Sequence, residues 1–183
     1  QPYTLPSGSI FEDQLSLVNN SKDIILRTNA SPKVSSIYSF QNNEFVLVDS
    51  LNDRIVKAAG DFNNNGLTDL LNYFVRDGFI DEQNSSNSYS FSEKYSNTGG
   101  KFWPILAEDV DNDGITEVFS VFNDSTVEVW EVSSSLDLNK VATLTNFSPS
   151  GFGFNIINSP NAVITDIDGD GINTQISYCF KSR

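Results

Sequence analysis

The sequence predicts an all-β fold, specifically a β-propeller built of four-stranded blades, and three observations support this prediction. An acidic loop recurs at intervals of about 50 residues along the chain of 183 residues. Short apolar segments rich in β-branched and aromatic residues flank each loop, as strands do. Turn residues then separate further apolar segments, as in hairpins. Four-stranded sheets repeated at this period are typical of propellers.

The acidic loops occupy residues 61–69, 109–117 and 166–174, which we call the first, second and third loop. Oxygen-bearing side chains at positions 1, 3 and 5 converge if the backbone coils tightly, and glycine at position 6 permits that coil. Position 7 offers a backbone carbonyl, and position 9 offers a carboxylate in the first two loops. The predicted metal ligands are Asp61, Asn63, Asn65, Leu67 and Asp69, then Asp109, Asp111, Asp113, Ile115 and Glu117, then Asp166, Asp168, Asp170 and Ile172.

Calcium is the predicted occupant, because it accepts six to eight oxygen ligands in irregular geometry. An EF-hand would need a Glu at position 12, where this chain has Asn72, Ser120 and Ser177, and it would need flanking helices. We predict two or three structural calcium ions. The loops should differ in affinity, because the first has two charged positions, the second has four, and the third has Thr174 at position 9.

Successive blades are predicted over residues 9–51, 52–99, 100–148 and 149–183, with strands at 55–60, 70–75, 117–123, 126–132 and 140–145. A degraded copy of the loop lies in residues 15–26, where Asp23 takes the place of Asp69 but positions 1, 3 and 5 carry no acid, so we expect no metal there. The last blade stops after two strands. We therefore expect either a fragment of a larger propeller or a ring that another chain completes.

The loop pattern Asp-x-Asp/Asn-x-Asp/Asn-Gly-hydrophobic-x-Asp between two strands resembles the FG-GAP repeat of integrin α-subunit propellers and their bacterial relatives. Phe152-Gly153 also precedes the third loop. The chain departs from that family where residues 155–161 intervene before the next strand and where Tyr178-Cys179-Phe180 replaces Gly-Ala-Pro. The resemblance implies an adhesion, recognition or assembly scaffold whose calcium is structural and whose protein or glycan partners bind on other loops.

Composition narrows the classes of partner. The net charge is −13, and nine of the 24 acidic residues lie in the three loops. The 11 Lys and Arg residues cannot neutralise a row of phosphates, so nucleic acid is not an expected partner. No apolar run approaches the roughly 20 residues of a membrane span, so we expect no membrane insertion. One Cys, no His and no basic-then-apolar signal segment left at the start lead us to expect a mature secreted protein at the cell surface or outside the cell.

Catalysis has little support in the sequence, since the absence of His excludes Ser-His and Cys-His pairs. Two adjacent carboxylate pairs, Glu12-Asp13 and Asp81-Glu82, leave open a polysaccharide-active enzyme stabilised by calcium. A structural subunit of a surface filament is the other alternative. The polar segment 81–96 is predicted to be an exposed hairpin loop. Six aromatic residues could stack on sugars, but their alternating strand positions favour packing within the blades: Tyr89, Phe91, Tyr95, Phe102, Trp103 and Trp130.

Overall fold

The computed structural model describes residues 9–15, 21–28, 33–75, 77–98, 102–123, 126–145, 162–165 and 175–178, and every regular element in these ranges is a β-strand. The described residues contain no helix long and apolar enough to cross a membrane.

Fourteen strands are described, and within each sheet consecutive strands are antiparallel neighbours. The first sheet contains β1 (Ser9–Leu15), β2 (Asp23–Thr28), β3 (Val34–Gln41) and β4 (Glu44–Asn52). The second contains β5 (Ile55–Gly60), β6 (Asp69–Phe74), β7 (Asp77–Gln83) and β8 (Phe91–Asn97). The third contains β9 (Trp103–Glu108), β10 (Glu117–Asn123), β11 (Thr126–Val132) and β12 (Leu138–Thr145), and β13 (Ala162–Thr165) pairs with β14 (Gln175–Tyr178). The all-β prediction is confirmed.

The strands predicted at 55–60, 70–75, 117–123, 126–132 and 140–145 are also confirmed, to within two residues at each end. The exposed hairpin loop predicted over residues 81–96 is wrong. Strand β7 continues to Gln83 and β8 begins at Phe91, so the connection is only residues 84–90. Polarity misled the prediction, because Asp81, Glu82 and Gln83 are buried in the sheet and find polar partners there.

Hydrophobic clusters join the first sheet to the second and the second sheet to the third. One cluster contains Ile25 and Ile37 of the first sheet with Val56 and Leu70 of the second. A larger one joins the second and third sheets and consists of Ala58, Phe62, Leu71, Ile80, Phe102, Val118, Val132 and Leu136. Adjacent residues Leu70 and Leu71 enter different clusters because successive side chains of a strand point to opposite faces. The sheets therefore pack face to face.

The first strands of the sheets contact one another in chain order, β1 with β5, β5 with β9, and β9 with β13. Among the described strands, β1 does not contact β13, so the sheets do not close into a ring within this part of the chain.

Phe102 fills the space between the second and third sheets and is 1% exposed. Its ring lies edge-on to Trp130, with centroids 5.7 Å apart. The ring also lies against Gly78 of β7, where an added Cβ would fall 2.0 Å from the ring carbon Cδ1. Only glycine leaves room for the ring at this point, which fixes how closely the two sheets approach.

Candidate metal centre

The first two loops occupy equivalent places in neighbouring sheets. The first loop joins β5 to β6, and the second joins β9 to β10. In each case the position-9 residue begins the second strand, where Asp69 pairs with Gly60 and Glu117 pairs with Glu108. Strand pairing therefore buries the position-9 side chain, whereas positions 3 to 6 stay at or near the surface.

Both loops have the same backbone conformation at their centre. Position 4 has positive φ, 57° at Asn64 and 59° at Asn112, and so has position 6, 83° at Gly66 and 88° at Gly114. Asn and Gly are the residues that adopt this left-handed conformation most readily. The sequence thus selects the coil at these two positions.

Four equivalent hydrogen bonds hold each loop. In the first loop, the backbone N–H of Phe62 donates to Asp69 at 2.8 Å and that of Asn65 to Asn63 at 3.3 Å. The N–H of Gly66 donates to Asp61 and that of Leu67 to Asn65, each at 2.8 Å. In the second loop, the backbone N–H of Val110 donates to Glu117 at 2.8 Å and that of Asp113 to Asp111 at 3.2 Å. The N–H of Gly114 donates to Asp109 at 3.0 Å and that of Ile115 to Asp113 at 2.8 Å. These bonds turn the side chains of positions 1, 3, 5 and 9 inward.

The second loop gathers three carboxylates that could hold a metal ion. One oxygen each from Asp109, Asp111 and Glu117 lies within 4.8 Å of the other two. Two oxygens bound to one calcium ion at about 2.3–2.6 Å are separated by at most about 5.2 Å, and the three pairwise distances stay below this limit. Asp113, which the sequence also predicted as a ligand, is not part of this group.

The carboxylates of the second loop repel one another, and a bound cation would reduce this repulsion. Burial, and then the nearby charges of Asp111 and Asp109, raise the pKa of Glu117. Oδ1 of Asp109 is buried and has no hydrogen-bond partner. Among the described residues, none of the ion pairs includes a carboxylate of this loop. A divalent ion would pair with the unpartnered oxygen and offset the repulsion.

Asp69 in the first loop is fully buried, and its oxygen Oδ1 has no hydrogen-bond partner. Burial raises the pKa of Asp69 to about 7, and the charges of Glu82 and Asp61 act in the same direction. Its other oxygen accepts the N–H of Phe62, so the carboxylate faces the loop. Without an ion, the charged form of Asp69 is poorly solvated.

Glu82 of β7 is a part of the first loop's surroundings that sequence reasoning missed. Its Oε1 accepts hydrogen bonds from Nδ2 of Asn65 at 2.6 Å and of Asn63 at 3.3 Å, and its Oε2 pairs with Lys94 at 3.1 Å. Burial would raise the pKa of Glu82, but the bonds from these three residues outweigh burial and lower it. An alignment of the repeats could have found this residue, because Glu82 pairs with Asp69 as Glu131 pairs with Glu117.

The first and second loops also contact each other. Nδ2 of Asn64 donates to the carbonyl of Gly114 at 2.7 Å, and Nδ2 of Asn63 reaches the carbonyl of Ser134 at 3.4 Å. Phe62 is 4% exposed and belongs to the cluster between the second and third sheets. The two loops thus lie at the same end of the molecule.

The first sheet keeps the backbone arrangement without the acidic loop. Asp23, which the sequence aligns with Asp69, pairs with Leu15 at the start of β2 and is fully buried. The carbonyl of Lys22, the residue before Asp23, accepts the backbone N–H of Phe40. The residues before Asp69 and Glu117 do the same, since the carbonyl of Thr68 accepts the N–H of Gln83 and the carbonyl of Thr116 accepts the N–H of Val132. Ser21 donates to the Asp23 carboxylate in place of a loop backbone group.

The remaining predicted residues are not brought to these loops. The third loop, with Asp166, Asp168, Asp170 and Ile172, lies outside the described residues. Asp81 pairs with Arg54 at 3.1 Å and accepts from Asn72 at 2.9 Å. Because Asp81 and Glu82 are consecutive in a strand, their side chains point to opposite faces and do not converge as an acid and base would. The side chains of Glu12 and Asp13 are not described.

Replacing Asp69 by Asn is expected to raise the stability of the metal-free protein at pH 8. The folded pKa of Asp69 lies above its unfolded value, so its ionisation destabilises the fold as pH rises from about 4 to about 7, by up to roughly 4 kcal/mol. Asp69→Asn removes this pH dependence, and chemical denaturation at several pH values in chelator measures it. Asp61→Asn, at the exposed first position of the same loop, is the matched control and should leave the pH dependence in place. Equal pH profiles for Asp69→Asn and the unaltered protein would contradict this prediction.

Fold and site together define an all-β protein of repeated four-stranded antiparallel sheets with an acidic loop that could hold a metal ion at one end. A comparison of the chain with protein-family models and with curated proteins finds no match.

Proposed function

We propose that the chain is a calcium-binding β-propeller module that acts as an adhesion, recognition or assembly scaffold outside the cell. One observation carries the calcium part of the proposal: two loops in neighbouring sheets share one backbone conformation and four equivalent hydrogen bonds, and both turn oxygen ligands inward around a buried oxygen that has no partner. A coiled loop that offers only oxygen ligands, from carboxylates, amides and a backbone carbonyl, suits calcium better than magnesium or a transition metal.

The propeller part of the proposal is supported by the way the sheets succeed one another. Each of the first three sheets is a four-stranded meander, and its first strand contacts the first strand of the next sheet. Hydrophobic clusters fill the space between the first and second sheets and between the second and third. Radial repetition of such sheets is how propellers protect their edges. Because β1 and β13 are not in contact, closure would need further residues or a further chain.

Calcium in this arrangement has a structural role. The loops connect core strands, and Phe62 of the first loop belongs to the hydrophobic cluster between the second and third sheets, so an ion would stiffen the junction between those sheets. A protein or glycan ligand would then bind on other loops of a rigid scaffold. The FG-GAP-like loop pattern supports the same role. No observation on the described residues favours the polysaccharide-active enzyme or the filament subunit over this scaffold.

Calorimetric titration of the metal-free protein with calcium tests the proposal directly. We expect two or three ions to bind, with dissociation constants within the range of about 10⁻⁷ to 10⁻³ M that calcium sites span. Substituting both Asp109 and Asp111 by Asn should remove one ion from the stoichiometry. Failure of calcium to bind at 10 mM, an order of magnitude above the upper limit of about 10⁻³ M for extracellular modules, would reject the calcium role.

A further inference from the structure

We propose that Glu82 is a positioning residue for the first loop. Its carboxylate holds the side-chain amides of Asn63 and Asn65 so that both amide oxygens are directed at the bound ion. This inference rests on the proposed function, because it concerns how the first loop would bind calcium. Nothing in the pattern of the loop itself includes Glu82, which lies 17 residues beyond Asn65.

The chemistry of the amide group creates the need for such a residue. A carboxylate presents two oxygens, whereas an amide presents one oxygen and one NH₂ group that repels a cation. An Asn ligand therefore binds the ion in only one of its two flipped orientations. The first loop has Asn at both position 3 and position 5, so two amides must be oriented together.

The contacts of Glu82 select the productive orientation. An ionised carboxylate only accepts hydrogen bonds, so it can bind the Nδ2 side of each amide and not the oxygen side. Its Oε1 receives both amides, and its Oε2 is held by Lys94. On the other side, Oδ1 of Asn65 accepts the N–H of Leu67, and Oδ1 of Asn63 accepts the N–H of Asn65. Both oxygens thus face the coil of the loop.

The second loop provides the natural comparison. Its positions 3 and 5 are Asp111 and Asp113, which need no such orientation. The residue in the register of Glu82 is Glu131, and among the described residues it makes no hydrogen bond to the second loop. A carboxylate on the third strand therefore contacts the first loop, whose ligands at positions 3 and 5 are amides. In the part of the chain that the structure describes, none makes such a hydrogen bond to the second loop, whose ligands there are carboxylates.

Calcium titration of four variants tests the proposal, in a chain whose second and third loops are silenced by Asp109→Asn, Asp111→Asn, Asp166→Asn and Asp168→Asn. We expect Glu82→Gln to weaken binding at the first loop by about fivefold or more, because the bonds to both amides lose their charge. In a background with Asn63→Asp and Asn65→Asp, the same substitution should weaken binding less than twofold, since carboxylates need no orienting partner. Glu131→Gln is the matched control and should leave the first loop unchanged.

Two results would overturn the proposal. Glu82→Gln without effect on the Asn-containing loop shows that the amides orient themselves. Equal weakening in both backgrounds shows that Glu82 is itself a ligand or supports only the fold. If the silenced chain does not fold, the calcium-induced rise in Tm of the otherwise unaltered chain gives the same comparison. Absence of calcium binding in the unaltered chain would reject the proposed function together with this inference, whereas calcium binding that ignores Glu82 rejects this inference alone.

Discussion

Removing calcium from the protein is expected to lower its Tm by about 10–20 °C. At a calcium concentration 100 times the dissociation constant, each site stabilises the folded state by about 2.7 kcal/mol, so two sites give roughly 5 kcal/mol. For a chain of this size, 1 kcal/mol corresponds to about 2–4 °C. The physical reason is that the carboxylates of the second loop repel one another and that Asp69 is buried with one oxygen unpartnered. Thermal unfolding in millimolar calcium and in excess chelator measures the difference.

Two controls give this experiment its meaning. Magnesium at the same concentration should give a smaller shift, because it demands stricter geometry and keeps more water. A variant with Asp109→Asn and Asp111→Asn should lose roughly half of the calcium effect. Identical unfolding curves in calcium and chelator would mean that the loops are Asn- and Asp-rich turns held by their own hydrogen bonds, with no bound ion.

Replacing Phe102 by Ala is expected to destabilise the protein by about 3–5 kcal/mol, the usual cost of removing a buried aromatic side chain. Phe102 is 1% exposed, packs against Trp130 and Gly78, and belongs to the cluster between the second and third sheets. The cavity left behind would be lined by both sheets. Chemical denaturation in the presence of calcium measures the loss.

Gly78→Ala should destabilise the unaltered protein by about 1–3 kcal/mol, because the new methyl group would overlap the Phe102 ring. In the Phe102→Ala background the same substitution should cost far less, since the ring is gone. Leu47→Ala, on an exposed side chain of β4, is the matched control and should change stability by less than about 1 kcal/mol. A Phe102→Ala variant no less stable than Leu47→Ala would show that this cluster does not join the sheets.

The loops and their strands could be predicted from the sequence because their determinants are local. Asn and Gly at positions 4 and 6 set the backbone turn, and Asp61 and Asp109 bind N–H groups only five residues further on. Short apolar segments with β-branched and aromatic residues then mark the strands on either side. Both kinds of signal lie within a few residues of one another, so they can be read without knowing the fold.

The polar contacts around the first loop could not be predicted in the same way. The run of polar residues around Glu82 predicts an exposed loop at this position. The strand register places it beside Asn63, Asn65 and Lys94, which make a buried position acceptable for a charge. Arg54 does the same for Asp81 across a separation of 27 residues. Polarity alone does not distinguish a solvated side chain from a buried one with partners.

Local residue types set the coil of the first two loops, their inward-facing ligand positions and the strands that follow, because backbone preferences and short-range hydrogen bonds act within about nine residues. The folded structure then sets which of those carboxylates are buried and which loops touch, as Nδ2 of Asn64 contacts the carbonyl of Gly114 across 50 residues. These features depend on strand register and on the packing of one sheet against the next. Both are set by side chains far apart in the chain, and burial is what changes the energy of a charge.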